Sequence, residues 1–132
     1  MNFNEFMQSF ANDIGGQFSE YDKNKSVIVI PLDRGRFQAV LGIMKFSDRY
    51  MKTGIEFSSK VCPYHEKLNI KDLLEENSRF CHAKFVLDDD FIKVEASAFM
   101  DNVTESLLKE MVLEVGQTAD EWELKLTGKD IH

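Results

Sequence analysis

Met51-Lys52-Thr53-Gly54-Ile55-Glu56-Phe57-Ser58-Ser59-Lys60-Val61 is the stretch on which the fold turns. Met51, Thr53, Ile55, Phe57, Ser59 and Val61 fall on one side of a period-two alternation; Lys52, Gly54, Glu56, Ser58 and Lys60 fall on the other. Such alternation describes an antiparallel strand with one face on a core and one toward solvent, because parallel strands are covered on both faces and read as continuous apolar runs. Pro63 stops the strand, since it has no N–H to give to a ladder.

Toward the C-terminus, Asn69 stands where a cap would open a helix over 70–79, with Ile70, Leu73, Leu74 and Phe80 inward. A hairpin follows, with arms at 81–87 and 91–100 and its turn at Asp88-Asp89-Asp90. In the second arm Ile92, Val94, Ala96, Ala98 and Met100 alternate with Lys93, Glu95, Ser97 and Phe99. Leu107, Leu108, Met111, Val112, Val115, Ala119, Trp122 and Leu126 then recur at helical spacing, which predicts a last helix over 104–126. Asn102 and Glu105 fit a capping box at its start. Gly116 within that stripe costs ~1 kcal/mol against Ala, so it is expected to mark close packing or a bend.

Toward the N-terminus, residues 36–46 put Phe37, Ala39, Leu41 and Ile43 on one face and Val40, Met44 and Phe46 on the other. Val27-Ile28-Val29-Ile30 is a β-branched run bounded by Pro31, expected as a strand buried on both faces. Residues 17–22 read as a further short strand. Phe3, Phe6, Met7, Phe10 and Ile14 form one apolar stripe and predict a helix over 3–14, opened by Asn2 with Glu5 and ended by Gly15-Gly16. The expectation is α+β: one domain over 1–132, with an antiparallel sheet of about six strands flanked by helices, in the order α-β-β-β-β-α-β-β-α.

Composition narrows the function. The net charge of −7 and the pI near 4.9 disfavour a phosphate backbone as partner, and the four arginines, Arg34, Arg36, Arg49 and Arg79, form no run. No apolar stretch approaches the ~20 residues that span a bilayer, and the first residues lack the basic and apolar regions of a signal peptide. With only Cys62 and Cys81, the expected compartment is a reducing cytoplasm, with both thiols free and no membrane or nucleic-acid partner.

Catalytic signatures are thin. Cys62-x-x-His65 and Cys81-His82 are the sharpest candidates for zinc, which takes four nitrogen or sulfur ligands in a tetrahedron. On a strand, however, adjacent residues point to opposite faces, so at most one of Cys81 and His82 would join the first pair. A Cys/His nucleophile lacks a helix N-terminus or cation to lower the thiol pKa. Asp88-Asp89-Asp90 lacks the spaced ligands, the Gly and the distal Glu of a calcium loop. No phosphate-binding glycine motif, G-x-S-x-G or H-E-x-x-H occurs. The expectation is a binding module rather than an enzyme, with no cofactor and no metal.

The stretch from Leu73 to Leu126 resembles the YbjN-like and type III secretion chaperone-like superfamily. The resemblance is carried by Leu74-Glu75-Glu76-Asn77 closing a helix and by Ala83-Lys84-Phe85-Val86-Leu87-Asp88 and Ile92-Lys93-Val94-Glu95-Ala96 in the hairpin. Thr104-x-x-Leu107 opens the long helix, and Ala119-Asp120-x-Trp122 stands near its end. The first half matches in element order alone. The resemblance implies a type III secretion chaperone-like fold, commonly a homodimer, holding an extended segment of a client protein; the YbjN-like branch implies a regulatory role with another protein partner. A small metal- or thiol-dependent enzyme is the third reading. The partner-binding candidates are Met44, Phe46, Met51 and Ile55, around the turn joining two strands, where methionine adapts to varied apolar surfaces. An extended client is expected to add along an exposed edge there.

Overall fold

A computed structural model of the chain describes residues 2–128. Its elements are α1 (Phe3–Asp13), β1 (Gln17–Asp22), β2 (Lys25–Pro31), β3 (Phe37–Ser47), β4 (Lys52–Pro63), α2 (Ile70–Glu76), β5 (Lys84–Asp88), β6 (Phe91–Phe99) and α3 (Glu105–Thr127). All strand pairs are antiparallel, in one open six-stranded sheet ordered β1-β2-β3-β4-β6-β5. The α+β class and the element order are those the alternation predicts.

Local chemistry sets the ends. The Asn2 side chain accepts from the Glu5 amide, and Gly15 takes the left-handed conformation that releases the chain from α1. Asn69 caps α2 by accepting from the Asp72 amide. The β5–β6 hairpin closes between the paired Asp88 and Phe91, with Asp89 and Asp90 both at positive φ, as a two-residue type I′ turn requires. The start of α3 falls where expected, but its capping residue differs. Thr104, not Asn102, is its cap and accepts from the Leu107 amide, while Asn102 lies in a 3₁₀ turn over Met100–Asn102.

The core lies on one face of the sheet. Even-numbered residues of β2 and β3 and odd-numbered residues of β4 point there: Ile28, Ile30, Val40, Ile55 and Phe57 are all at most 2% exposed. α1 covers this face at Gly42, where an added Cβ would stand 2.6 Å from Phe3 and 2.8 Å from Met7. α3 covers it at Gly116, where an added Cβ would stand 2.7 Å from Ile30 and 3.2 Å from Val40. The glycine inside the helical stripe therefore marks close packing. α2 closes the β5 end through buried Leu73, and Phe85 packs edge-on against both Phe80 and Trp122.

Three local expectations change. β2 is not buried on both faces: Ile28 and Ile30 are, but Val27 and Val29 are only half-buried, because the helices cover one side of the sheet. A bulge between Lys60 and Cys62 turns Val61 and Cys62 both into the core, which simple alternation does not foresee. The first arm of the hairpin begins at Lys84 rather than residue 81, because the Glu114 carboxylate of α3 takes the His82 and Ala83 amides at 2.7 and 2.6 Å.

Candidate functional site

The sequence-predicted partner residues divide. Met44 and Ile55 are direct cross-strand partners on the helix-covered face. Ile55 is 1% exposed and Met44 is half-buried against the core, so Ile55 is interior and offers nothing to a partner. Phe46 (57% exposed) and Met51 (72% exposed) stand free at the β3–β4 tip, Met51 in the turn at positive φ, and Tyr50 joins them. β4 is a central strand, paired to β3 and β6, and gives no edge to an incoming chain. The true edges are blunted. β1 is short, bulged and charged, and at β5 the Asn77 side chain accepts from the Phe85 amide.

The candidate metal and thiol residues do not converge. Cys62 is buried, whereas His65 and Cys81 are exposed in separate loops; His82 faces Glu110 at 3.2 Å. Among the described residues no three His, Cys, Asp or Glu side chains gather as metal ligands would. Burial pushes the Cys62 thiol above its ordinary pKa and the charge of Glu123 adds to this, the opposite of an activated nucleophile.

The surface that sequence reasoning missed is the other face of the sheet. Odd-numbered residues of β2 and β3 point away from all three helices, and among them Val27, Val29, Ala39, Leu41 and Ile43 are half-buried by their neighbours alone. The register sets Val27 beside Leu41, and Val29 beside Ala39. They form an apolar strip with Phe37, 44% exposed, at one end. On a solvated sheet face these positions are normally polar. The β4–β6 half is polar: Leu41 adjoins Ser58 and Ile43 adjoins Glu56. A groove of about 430 Å³ runs over this face between Tyr21, Val27, Phe37, Ala39, Leu41, Ser58, Lys60 and Lys93. The available signal was the apolar character of both alternation sets in 27–30 and 36–46, set against helices enough to cover only one face.

The charge of this face is inverted relative to the chain. Six of the twelve lysines point to it, Lys25, Lys45, Lys52, Lys60, Lys84 and Lys93, against Asp22, Glu56, Glu95 and Asp88 from the strands of the sheet. Lys45 pairs with Glu56 at 3.3 Å, Lys93 with Asp88 at 2.9 Å and Lys52 with Asp101 at 3.1 Å. Partial burial, and then the neighbouring Glu56, hold the Glu95 carboxyl above the usual range. Lys93 holds Asp88 below it.

No protein-family model matches the chain, and no curated protein matches it in sequence. Among the described residues no helix is long and apolar enough to cross a membrane. The geometry defines an α+β domain with one sheet face sealed by helices and one left open.

Proposed function

We propose that the protein is a non-enzymatic, chaperone-like polypeptide-binding module and that the open sheet face holds its partner. One observation carries this: the outward positions of β2 and β3 are Val27, Val29, Ala39, Leu41 and Ile43, where a solvent-facing strand would place polar side chains. Each apolar group withdrawn from water there contributes about 25 cal/mol per Å² of area covered. Among small domains, an apolar sheet face is ordinarily covered by a second layer, a helix or another sheet. A homodimer and a client segment are both occupants of this kind. The resemblance of residues 73–126 to the YbjN-like and type III secretion chaperone-like superfamily supports a client or regulatory protein partner. Two unbridged cysteines support work in a reducing cytoplasm.

A photo-crosslinking residue at Leu41, compared with one at Leu124, tests the proposal in the native cell. Leu124 is 41% exposed on the helical side and serves as the control. Polypeptide adducts at Leu41 and not at Leu124 are expected. Equal adducts, or adducts at Leu124 alone, overturn it.

A further inference from the structure

We infer that the segment this face takes is an acidic amphipathic helix. The inference rests on the open face being a polypeptide-binding surface and adds the chemistry of what binds. The dimensions favour a helix. From Ile43 to Phe37 the strip runs six residues along β3, ~20 Å at the rise of a strand, and it is two strands or ~10 Å wide. That is the footprint of a helix of ~13 residues. An extended segment is suited to a free edge instead, and both edges of this sheet are blunted.

The charges select the sign. Lys60 and Lys93 are direct cross-strand partners, a like-charge arrangement that costs stability when nothing anionic sits between them. Lys93 has Asp88, whereas Lys60 rests on the Phe91 ring at 5.2 Å and forms no ion pair among the described residues. Both lysines line the groove beside Ala39 and Leu41. A helix lying on the strip would present its flank to them, so carboxylates beside its apolar stripe are complementary and cations are not. A nucleic acid fits less well. Single strands stack on successive open aromatic faces; here Lys25, Lys60 and Lys52 stand over Tyr21, Phe91 and Phe99 at 5.8, 5.2 and 5.1 Å, and Phe37 is a single ring at one end of the strip.

The test uses the full chain and two synthetic amphipathic peptides of about 14 residues. They share one leucine stripe; the first is flanked by Glu and its twin has Lys at every Glu. Binding is read by fluorescence anisotropy, the contact face by amide chemical shifts, and peptide helicity by circular dichroism. The acidic peptide is expected to bind at least tenfold tighter at low salt. It should become helical, shift residues around Val27, Leu41 and Lys60, and lose its advantage near ~1 M salt. A Lys60→Glu/Lys93→Glu variant should reverse the preference. Equal binding of both peptides, abolished by Leu41→Asp, overturns the acidic partner while leaving the face intact as a binding surface. An acidic peptide bound without helicity overturns the helical form. Tighter binding of oligo-dT or of phosphatidylserine vesicles, or self-association through the same residues, overturns the inference in favour of that occupant. No binding of any probe at millimolar concentration, without self-association, overturns the inference and the binding face together.

Discussion

Replacing Gly42 by alanine probes how α1 is seated on the sheet. The new methyl would stand 2.6 Å from the tip of the Phe3 ring, 2.8 Å from the Met7 methyl and 3.2 Å from the Phe57 ring edge. Carbon atoms in favourable contact sit ~3.5–4.0 Å apart, so all three neighbours must retreat. The Met7 methyl is the end of a flexible chain, but Phe57 is fully buried and Phe3 is 3% exposed with its ring 6.4 Å from that of Phe57. Overpacking of this kind costs about 1–3 kcal/mol. Removing a glycine from a strand returns about 0.5–1 kcal/mol. The two ranges together leave a loss of about 0–2.5 kcal/mol. Because three neighbours at once stand inside contact distance, the upper part is expected, about 1–2 kcal/mol, a fall in Tm of about 3–8 °C for a domain of this size. Urea and thermal denaturation measure it. Met7→Ala should cost less in the Gly42→Ala background than alone, with a coupling of about 0.5–3 kcal/mol, because truncation makes room for the methyl. A Gly42→Ala protein as stable as the parent, or strictly additive effects, would refute the packing of α1 against β3.

Three further outcomes follow from local chemistry. Glu95 is held above its ordinary pKa, so the native state binds its proton more tightly than the unfolded chain does, and its contribution to stability falls as pH rises through the raised value. Glu95→Gln should therefore raise Tm at pH 7 relative to the parent, with the difference shrinking toward pH 4; a difference independent of pH contradicts this. In native protein a thiol reagent should titrate exposed Cys81 quickly and buried Cys62 only on unfolding, and two fast thiols would count against the position of the β4 bulge. Thr104→Ala should lower stability by about 1 kcal/mol, as loss of a helix cap does, while Asn102→Ala changes it little; the reverse order would place the start of α3 at Asn102.

Much of the fold was legible in sequence because each element carries a local signature. Alternation in 51–61 and 91–100 gave the antiparallel sheet, and 3.6-residue stripes capped by Asn2 and Asn69 gave the first two helices. The failures arise where distant contacts decide. Asn102 is by residue type the better cap of the two, but the 3₁₀ turn that takes it up leaves the cap to Thr104. Residues 81–83 alternate like strand, but Glu114, some thirty residues later, captures two of their amides. The candidate site was less legible. Alternation sorts 36–46 and 51–61 each into two faces, and the register, with Leu41 opposite Ser58 and Met44 opposite Ile55, puts Leu41 and Ile55 on opposite sides. Alternation does not say which side the helices cover. That was decided by two glycines, Gly42 beneath α1 and Gly116 of α3 above Ile30, which let the helices approach. Ile55 thus lies in the core, and Leu41, whose face the alternation of 36–46 left unassigned, lies on the open face.

The most direct measurement pairs two substitutions on adjacent strands, Leu41→Glu on the open face and Ile28→Glu on the covered one, each followed by thermal denaturation and by the Leu124-controlled crosslinking assay with the reporter at Val29. Ile28 is fully buried, so an unpaired carboxylate there should cost several kcal/mol and unfold or strongly destabilise the protein. Leu41→Glu should leave Tm within a few degrees of the parent and abolish polypeptide adducts at Val29. Adducts that persist unchanged in folded Leu41→Glu protein would contradict the open sheet face as the binding surface.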